Sequence, residues 1–338
     1  MSELLNHLLK EPKKVQEIQN KLRHPSTLSS LYEAWRKGIL TVQRTWGNTD
    51  SPSQTVIYKL DSCLLPDDIL QINDTTSEKG KDFTVVTWNI NSIRSRLDLL
   101  LDWLAEKQPD LVALQETKVE DAHFPIFDLQ EVGYYSIFSG QKSYNGVAFL
   151  SKEVPDQIRT GFRNGFDPEN CRLISVLLKG IWFINVYLPQ GQSVASEKFA
   201  YKLEFLEQLT AELSEYPTET MIVLGDLNIA PEEIDVPDPT AMKDMISFRP
   251  EERAAFKHLL ALGLHDVFRK FNNEPGHYSW WDYRTRGFER NDGMRIDHVL
   301  SSRHLLEQAT QSYIDLENRS QAKPSDHAPV FSCFAIGE

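Results

Sequence analysis

The chain has 338 residues, 41% of them hydrophobic, with 36 basic and 49 acidic side chains and a formal net charge of −13. That size supports one large core with an appendage, and no apolar run approaches the ~20 residues a bilayer-spanning helix needs. The acidity counts against a partner held by nonspecific attraction to phosphates, but a sum hides patches, and acids gathered round a divalent cation would deepen the deficit while being neutralised in use.

In chain order, "MSELLNHLLKEPKK" lacks a secretory apolar region, and its Glu3 and Glu11 are unlike an acid-poor transit peptide, so a cytoplasmic protein is expected. Cys63, Cys171 and Cys333 are odd in number, far apart and without zinc spacing, which suits a reducing compartment. Residues 1–25 read as a polar helix, and 26–71 mix a helical stretch at "LSSLYEAWRKGI" with strand-like "QTVIYKL". The polar "NDTTSEKGKD", residues 73–82, reads as a linker. The expected division is therefore 1–72, a small α+β appendage; 73–82, a linker; and 83–338, the main domain.

From Phe83 the pattern changes. "FTVVTW" and "DLVALQ" read as buried strands around a helix carrying Ile93, Leu97, Leu100, Leu101 and Leu104 at helical spacing. "NGVAFLS", "RLISVLL", "IWFINVYL", "MIVLGD", "RIDHVLS" and "APVFSCF" are further strands, and "SEKFAYKLEFLEQLTAEL" a long amphipathic helix. Many short strands with few helices favour two sheets stacked face to face under outer helices, an α/β sandwich, over one parallel sheet.

In "MIVLGDLNIAPEEIDVPDP", residues 221–239, an apolar run meets Gly225, Asp226, Leu227 and Asn228, and prolines among acids then stop the strand. Asp and Asn after a strand are ordinary turn residues, so this stretch alone leaves a turn and a site both open. It is not alone. Asn89 and Asn91, Glu116, Tyr187, Asp297, and Asp326 with His327 occupy the same kind of place at strand ends. If those ends converge, several carboxylates share one pocket, an arrangement that a cation relieves. Oxygen ligands suit Mg²⁺ or Mn²⁺, which pair carboxylates with substrate phosphates, so a phosphate ester is the implied substrate. Pro324 and Pro329 exclude a regular inner strand around Asp326 and His327, so the two need not point to opposite faces. His298, inside a strand-like run, should face away from Asp297, and His123, His265, His277 and His304 show no partner pattern. No phosphate-cradling glycine loop or nucleophile elbow is present, which leaves a metal-assisted hydrolase.

"WNINSIRSRL", "PDLVALQETKVED", "NVYLPQG", "GDLNIAPEEIDVPDP", "SFRPEERAAF", "YSWWDYR", "GMRIDHVL" and "KPSDHAPV" together, in order and spacing, resemble the exonuclease III family of apurinic/apyrimidinic endonucleases, within the wider class related to DNase I. The resemblance runs from about Phe83 to Phe334. It implies a four-layer α/β sandwich of two packed mixed β-sheets flanked by helices, and a Mg²⁺-dependent cut 5' to an abasic site, with 3'-to-5' exonuclease and 3'-phosphodiesterase activity. It implies Glu116 as principal Mg²⁺ ligand, Asn89 beside it and Asp326 as a further ligand, with Asp226, Asn228 and His327 also in the metal set and Mn²⁺ as a substitute ion. Asp226 would activate water, Asn228 hold it or the phosphate, Tyr187 contact the phosphate or aid the leaving group, and Asp297 pair with His327. The implied partner is double-stranded DNA with abasic sites or 3' ends, bound by a monomer in the cytoplasm, at the nucleoid in a bacterium. DNA or the abasic sugar would be contacted by Asn91, Arg94, Lys118, Asn145, Gln190, Trp280, Arg284, Met294 and Ile296, with Trp281 in the core.

The competing members of the wider class, DNase I-like nucleases and other phosphodiesterases and phosphatases, resemble one another in having a His where this chain has Tyr187, and lack "PEEIDVPDP" and "SWWDYR". A binding module that has lost catalysis would need a missing ligand or base, and none is missing. In a third reading residues 1–72 bind a protein partner and make the chain an adaptor, with Tyr32, Trp35 and Trp46 filling a small core or docking on the nuclease rather than stacking on bases.

Overall fold

The computed structural model describes residues 82–336. The helix and strands expected in 1–72, and the linker up to Lys81, lie outside the described residues. The strands are β1 (Phe83–Asn89), β2 (Leu111–Gln115), β3 (Tyr135–Ser139), β4 (Val147–Ser151), β5 (Gln157–Thr160), β6 (Leu173–Leu178), β7 (Ile181–Tyr187), β8 (Met221–Asp226), β9 (Leu264–Asp266), β10 (Asp297–Ser302), β11 (Ala309–Ile314) and β12 (Val330–Phe334). The three longest helices are α1 (Leu97–Lys107), α2 (Glu197–Ser214) and α3 (Pro250–Leu260).

The strands form two sheets, ordered β11-β12-β1-β2-β4-β3 and β5-β6-β7-β8-β10-β9. Both are mixed: β1 and β2 are parallel, as are β7 and β8, and the remaining pairs are antiparallel. The central strands are apolar on both faces because both are covered. Val85, Ala113 and Phe149 of the first sheet meet Ile174, Phe183, Ile222 and Leu224 of the second in one core between the sheets. The alternate residues Trp182, Ile184, Met221 and Val223 face outward onto Phe205, Leu209 and Leu213 of α2 and Phe256 and Leu259 of α3. Trp103 of α1 covers the outer face of the first sheet, against Trp88 and Phe331. Helix, sheet, sheet, helix is the four-layer sandwich the sequence leads one to expect.

Candidate active site

Strand register assembles the site. The rows facing the inter-sheet core run Val85, Thr87, Asn89 on β1; Ala113, Gln115 on β2; Phe183, Asn185, Tyr187 on β7; and Ile222, Leu224, Asp226 on β8. Each row turns polar toward the same edge. One step inside it, Gln115 Nε2 donates to Thr87 Oγ1 at 3.0 Å and to Asn185 Oδ1 at 2.8 Å, a buried bridge between the sheets. At the edge Tyr187 is in register with Asp226, and Asp226 with Asp297.

The side chains then hold one another. Asn89 Nδ2 donates to Asp226 Oδ2 at 2.9 Å and to Glu116 Oε1 at 3.1 Å. Tyr187 donates its hydroxyl to Glu116 Oε1 at 2.6 Å, and Lys118 Nζ lies 2.6 Å from Glu116 Oε2. The Asn228 N–H donates to Asp226 Oδ1 at 2.9 Å, and Asn228 Nδ2 to the Leu188 carbonyl at 2.9 Å. His327 Nδ1 is 2.8 Å from Asp297 Oδ2, and its Nε2 is 3.8 Å from Asp226 Oδ2. Asp326 accepts from Asn91 Nδ2 at 2.9 Å and from Trp280 Nε1 at 3.1 Å. Glu116 and Asn228 have positive φ, 52° and 49°, as do Asn91, Ser92, Lys118 and Asn145. Left-handed non-glycine residues cost energy and persist where the surroundings hold them, as these contacts do.

Charge follows burial and neighbours. Burial pushes the Asp226 carboxyl up to about 7, with Asp297 and Glu116 adding to the rise against His327 and Asn89. Burial alone would lower His327, but Asp297 and Asp226 outweigh it and raise the imidazole to about 10. Burial works to raise Glu116, yet Lys118, Tyr187 and Asn89 together hold it below its ordinary value. Burial, with Glu116 and Asp226, drives the Tyr187 phenol well above its usual range. At neutral pH the site thus has an imidazolium and a phenol as donors, a fixed carboxylate at Glu116, and a carboxyl at Asp226 poised to take or give a proton.

Asp226, Asp297 and His327 each offer a ligand atom within 4.8 Å of the others. A protonated imidazole is a donor and not a ligand, whereas Glu116 and Asp326 supply hard carboxylate oxygens; the Asn89 amide turns its nitrogen to Glu116 and Asp226 and its oxygen to the Asn91 N–H at 3.0 Å. The donor set fits a Mg²⁺-like ion and not a soft metal.

Trp280 pairs by single bridges with Met294 and His327. Trp280 and Met294 pack on a cluster of Ala230, Val236, Phe248 and Ile296, so the three apolar residues singled out in the sequence do meet beside the carboxylates. Trp281 is buried. His298 faces away, with Nε2 2.8 Å from the Ile229 carbonyl. The Asn145 carbonyl accepts the Lys118 N–H at 2.9 Å, which ties that loop to the site. Arg94, Gln190 and Arg284 are exposed, and Arg284 is held by Asp282 at 2.8 Å.

Two serines escape sequence reasoning. Ser279 Oγ donates to Asp297 Oδ2 at 2.7 Å and accepts from the N–H groups of Ile296 and Asp297. Ser325 Oγ donates to the Asn89 carbonyl at 2.6 Å and accepts the His327 N–H at 3.2 Å. Nothing local marks either; the one faint signal is that each lies one or two residues from an expected site residue.

Residues 86–327 match the endonuclease/exonuclease/phosphatase family. Exodeoxyribonuclease III of Haemophilus influenzae is 38% identical over 263 residues, 74% of this chain and 98% of that protein. The structure of an AP endonuclease from Archaeoglobus fulgidus superposes with a TM-score of 0.73 at 40% identity, covering 75% of this chain and all of that one. A Neisseria 3' phosphatase bound to a product DNA hairpin gives a TM-score of 0.73 at 38% identity, over 75% and 99% of the two chains.

Proposed function

The chain belongs to the endonuclease/exonuclease/phosphatase family, and from that premise we propose that it is a Mg²⁺-dependent DNA repair nuclease, cutting the phosphodiester 5' to abasic sites and degrading or trimming 3' ends. The observation that carries this reading is the convergence of Asn89, Glu116, Tyr187, Asp226, Asn228, Asp297 and His327 at one sheet edge, with the Trp280, Met294 and Ile296 patch beside it. The names of the relatives support it.

Glu116, Asn89 and Asp326 would hold Mg²⁺, with Mn²⁺ as a substitute, and the bound ion supplies positive charge against the phosphoryl oxygens. Asp226 takes a proton from water as the water oxygen bonds to phosphorus, a role that suits a carboxyl shifted to about 7. The P–O3' bond breaks, and in this reading the Tyr187 phenol returns a proton to the departing oxygen. His327, kept protonated by Asp297, donates to a phosphoryl oxygen. Asn228 fixes Asp226 through its N–H. The products are a 3'-hydroxyl and a 5'-deoxyribose phosphate. The apolar patch admits a sugar without its base, and extrusion costs least where no base is stacked.

Residues 83–338 carry this chemistry, and residues 1–72 are an extension outside it that could bind a protein partner. Among the described residues no helix is long and apolar enough to cross a membrane. The proposed setting is the cytoplasm, where the chain acts as a monomer on duplex DNA. The test incubates the protein with Mg²⁺, or with a chelator, on a duplex holding one abasic analogue, an intact duplex and a 3'-recessed end. Metal-dependent cleavage of the abasic duplex is expected, and cleavage of none of the three refutes the reading.

A further inference from the structure

Lys202, on α2, is fully buried, as is Glu252 near the start of α3, and the two form an ion pair inside the protein. Burying both charges is costly unless their remaining hydrogen-bonding capacity is used, and here it is used on three separate segments. Lys202 Nζ donates to the Asn228 carbonyl at 2.7 Å and reaches the Gln190 carbonyl at 3.3 Å. Glu252 accepts from the Ser247 N–H at 3.1 Å and the Arg249 N–H at 3.0 Å. Ser247 in turn accepts the Ala230 N–H at 2.7 Å. The loops after β7 and β8 and the entry to α3 are thereby tied to one ammonium group. Asn228 is left-handed at φ 49°, a conformation an asparagine adopts only at some cost. That conformation lets its N–H turn back to Asp226 Oδ1 while its carbonyl turns to Lys202.

We infer that Lys202, through the Asn228 carbonyl, is a positioning residue that fixes the aim of Asp226 and Asn228 without itself touching the substrate. The inference rests on the nuclease reading for its kinetic consequence, but not for its structural one. The test compares wild type with Lys202→Met/Glu252→Gln, which leaves no unpaired buried charge, and with Lys202→Arg, each in the native and in an Asp226→Asn background, which removes the group whose aim is at issue. On the abasic duplex the double substitution should lower kcat roughly 10- to 100-fold with KM little changed, Lys202→Arg should recover part of the loss, and the Asp226→Asn background should absorb most of it. In parallel, spectra of full-length protein labelled with ¹⁵N-asparagine should show the Asn228 amide signals shifted in Lys202→Met/Glu252→Gln. Unmoved Asn228 signals would overturn the positioning role whatever the activity, as would equal losses with and without the Asp226 carboxylate. An inactive wild type would remove the nuclease reading and leave the spectra to decide the positioning role.

Discussion

Asp226 is held from three sides, by the Asn89 side chain, the Asn228 N–H and the register with Asp297, so replacing its charge should leave its surroundings intact. Asp226→Asn is expected to cut turnover on abasic duplex by roughly 10² to 10⁴ while KM stays near wild type, the pattern of a lost proton acceptor. Steady-state kinetics at saturating Mg²⁺ decide it, and normal turnover would assign the base elsewhere. Ser279 offers a second test at this scale. Its hydroxyl orients the Asp297 carboxylate and satisfies two backbone N–H groups, so Ser279→Ala leaves donors unpaired and should cost about 1 to 3 kcal/mol of stability. It should also lower turnover, since His327 depends on Asp297 for its orientation. Urea melts and kinetics of the same preparation read both effects, and a variant as stable as wild type would contradict the contact.

At the level of elements, each strand foreseen from Phe83 onward is a central strand: β12, β1, β2 and β4 in one sheet, β6, β7, β8 and β10 in the other. Those overlooked, β3, β5, β9 and β11, are the four sheet edges. The reason is physical. A strand covered on both faces must be apolar throughout and stands out, whereas "QIRT" or "LHD" is short and polar because an edge faces solvent and must avoid further pairing. The edge strand β9 is held by charge as well as by its ladder. Burial alone would raise the Asp266 carboxyl, but Arg295, whose guanidinium lies 2.7 Å away, and His298 hold it well below the usual carboxylate range. Because the folded value is depressed, this contribution is present above the unfolded value of about 3.9 and is lost as pH falls below it. Asp266→Asn should therefore lower stability at pH 7 by about 1 to 3 kcal/mol, since Arg295 keeps its ion pair with Asp235 at 2.6 Å, and flatten the acid limb of a melting profile below pH 4. An unchanged acid limb would show that the pair does not couple to folding. Gly225 tests the seam between β7 and β8. A Cβ there would collide with the Val186 carbonyl, so Gly225→Ala should cost about 3 kcal/mol or more, seen as a fall in the thermal midpoint.

For the whole molecule, every side chain given a chemical role lies beyond residue 82. A chain of residues 83–338 should fold and cleave the abasic duplex at a rate within a few-fold of the full chain, and an unfolded or inactive product would make the extension part of the nuclease core. On the proposed reading, selectivity belongs to the assembled patch. Trp280→Ala should lower the ratio of abasic to intact-duplex cleavage, because Trp280 packs with Met294 over Ile296 and is fixed through Asp326. Equal losses on both duplexes would instead indicate a folding defect. Arg284, expected at the DNA, pairs with Asp282 at 2.8 Å on the exposed surface, a contact weak enough for a phosphate to replace.

The sequence by itself determined the central strands, the sandwich class and the set of polar residues at strand ends, because apolar runs and their abrupt termination are local properties written into neighbouring residues. It also determined the family, through eight blocks in order. Tertiary structure decided which of those residues act as a unit. Register put Tyr187 and Asp297 beside Asp226, the inward rows brought Asn89 from one sheet to Asp226 of the other, and Ser279, Ser325 and Lys202 joined the site from positions with no local signature. A serine or lysine has the same local character whether it meets solvent or a buried carboxylate, and only the packing of distant segments, with the burial that raises Asp226 and the carboxylates that keep His327 charged against burial, makes the difference.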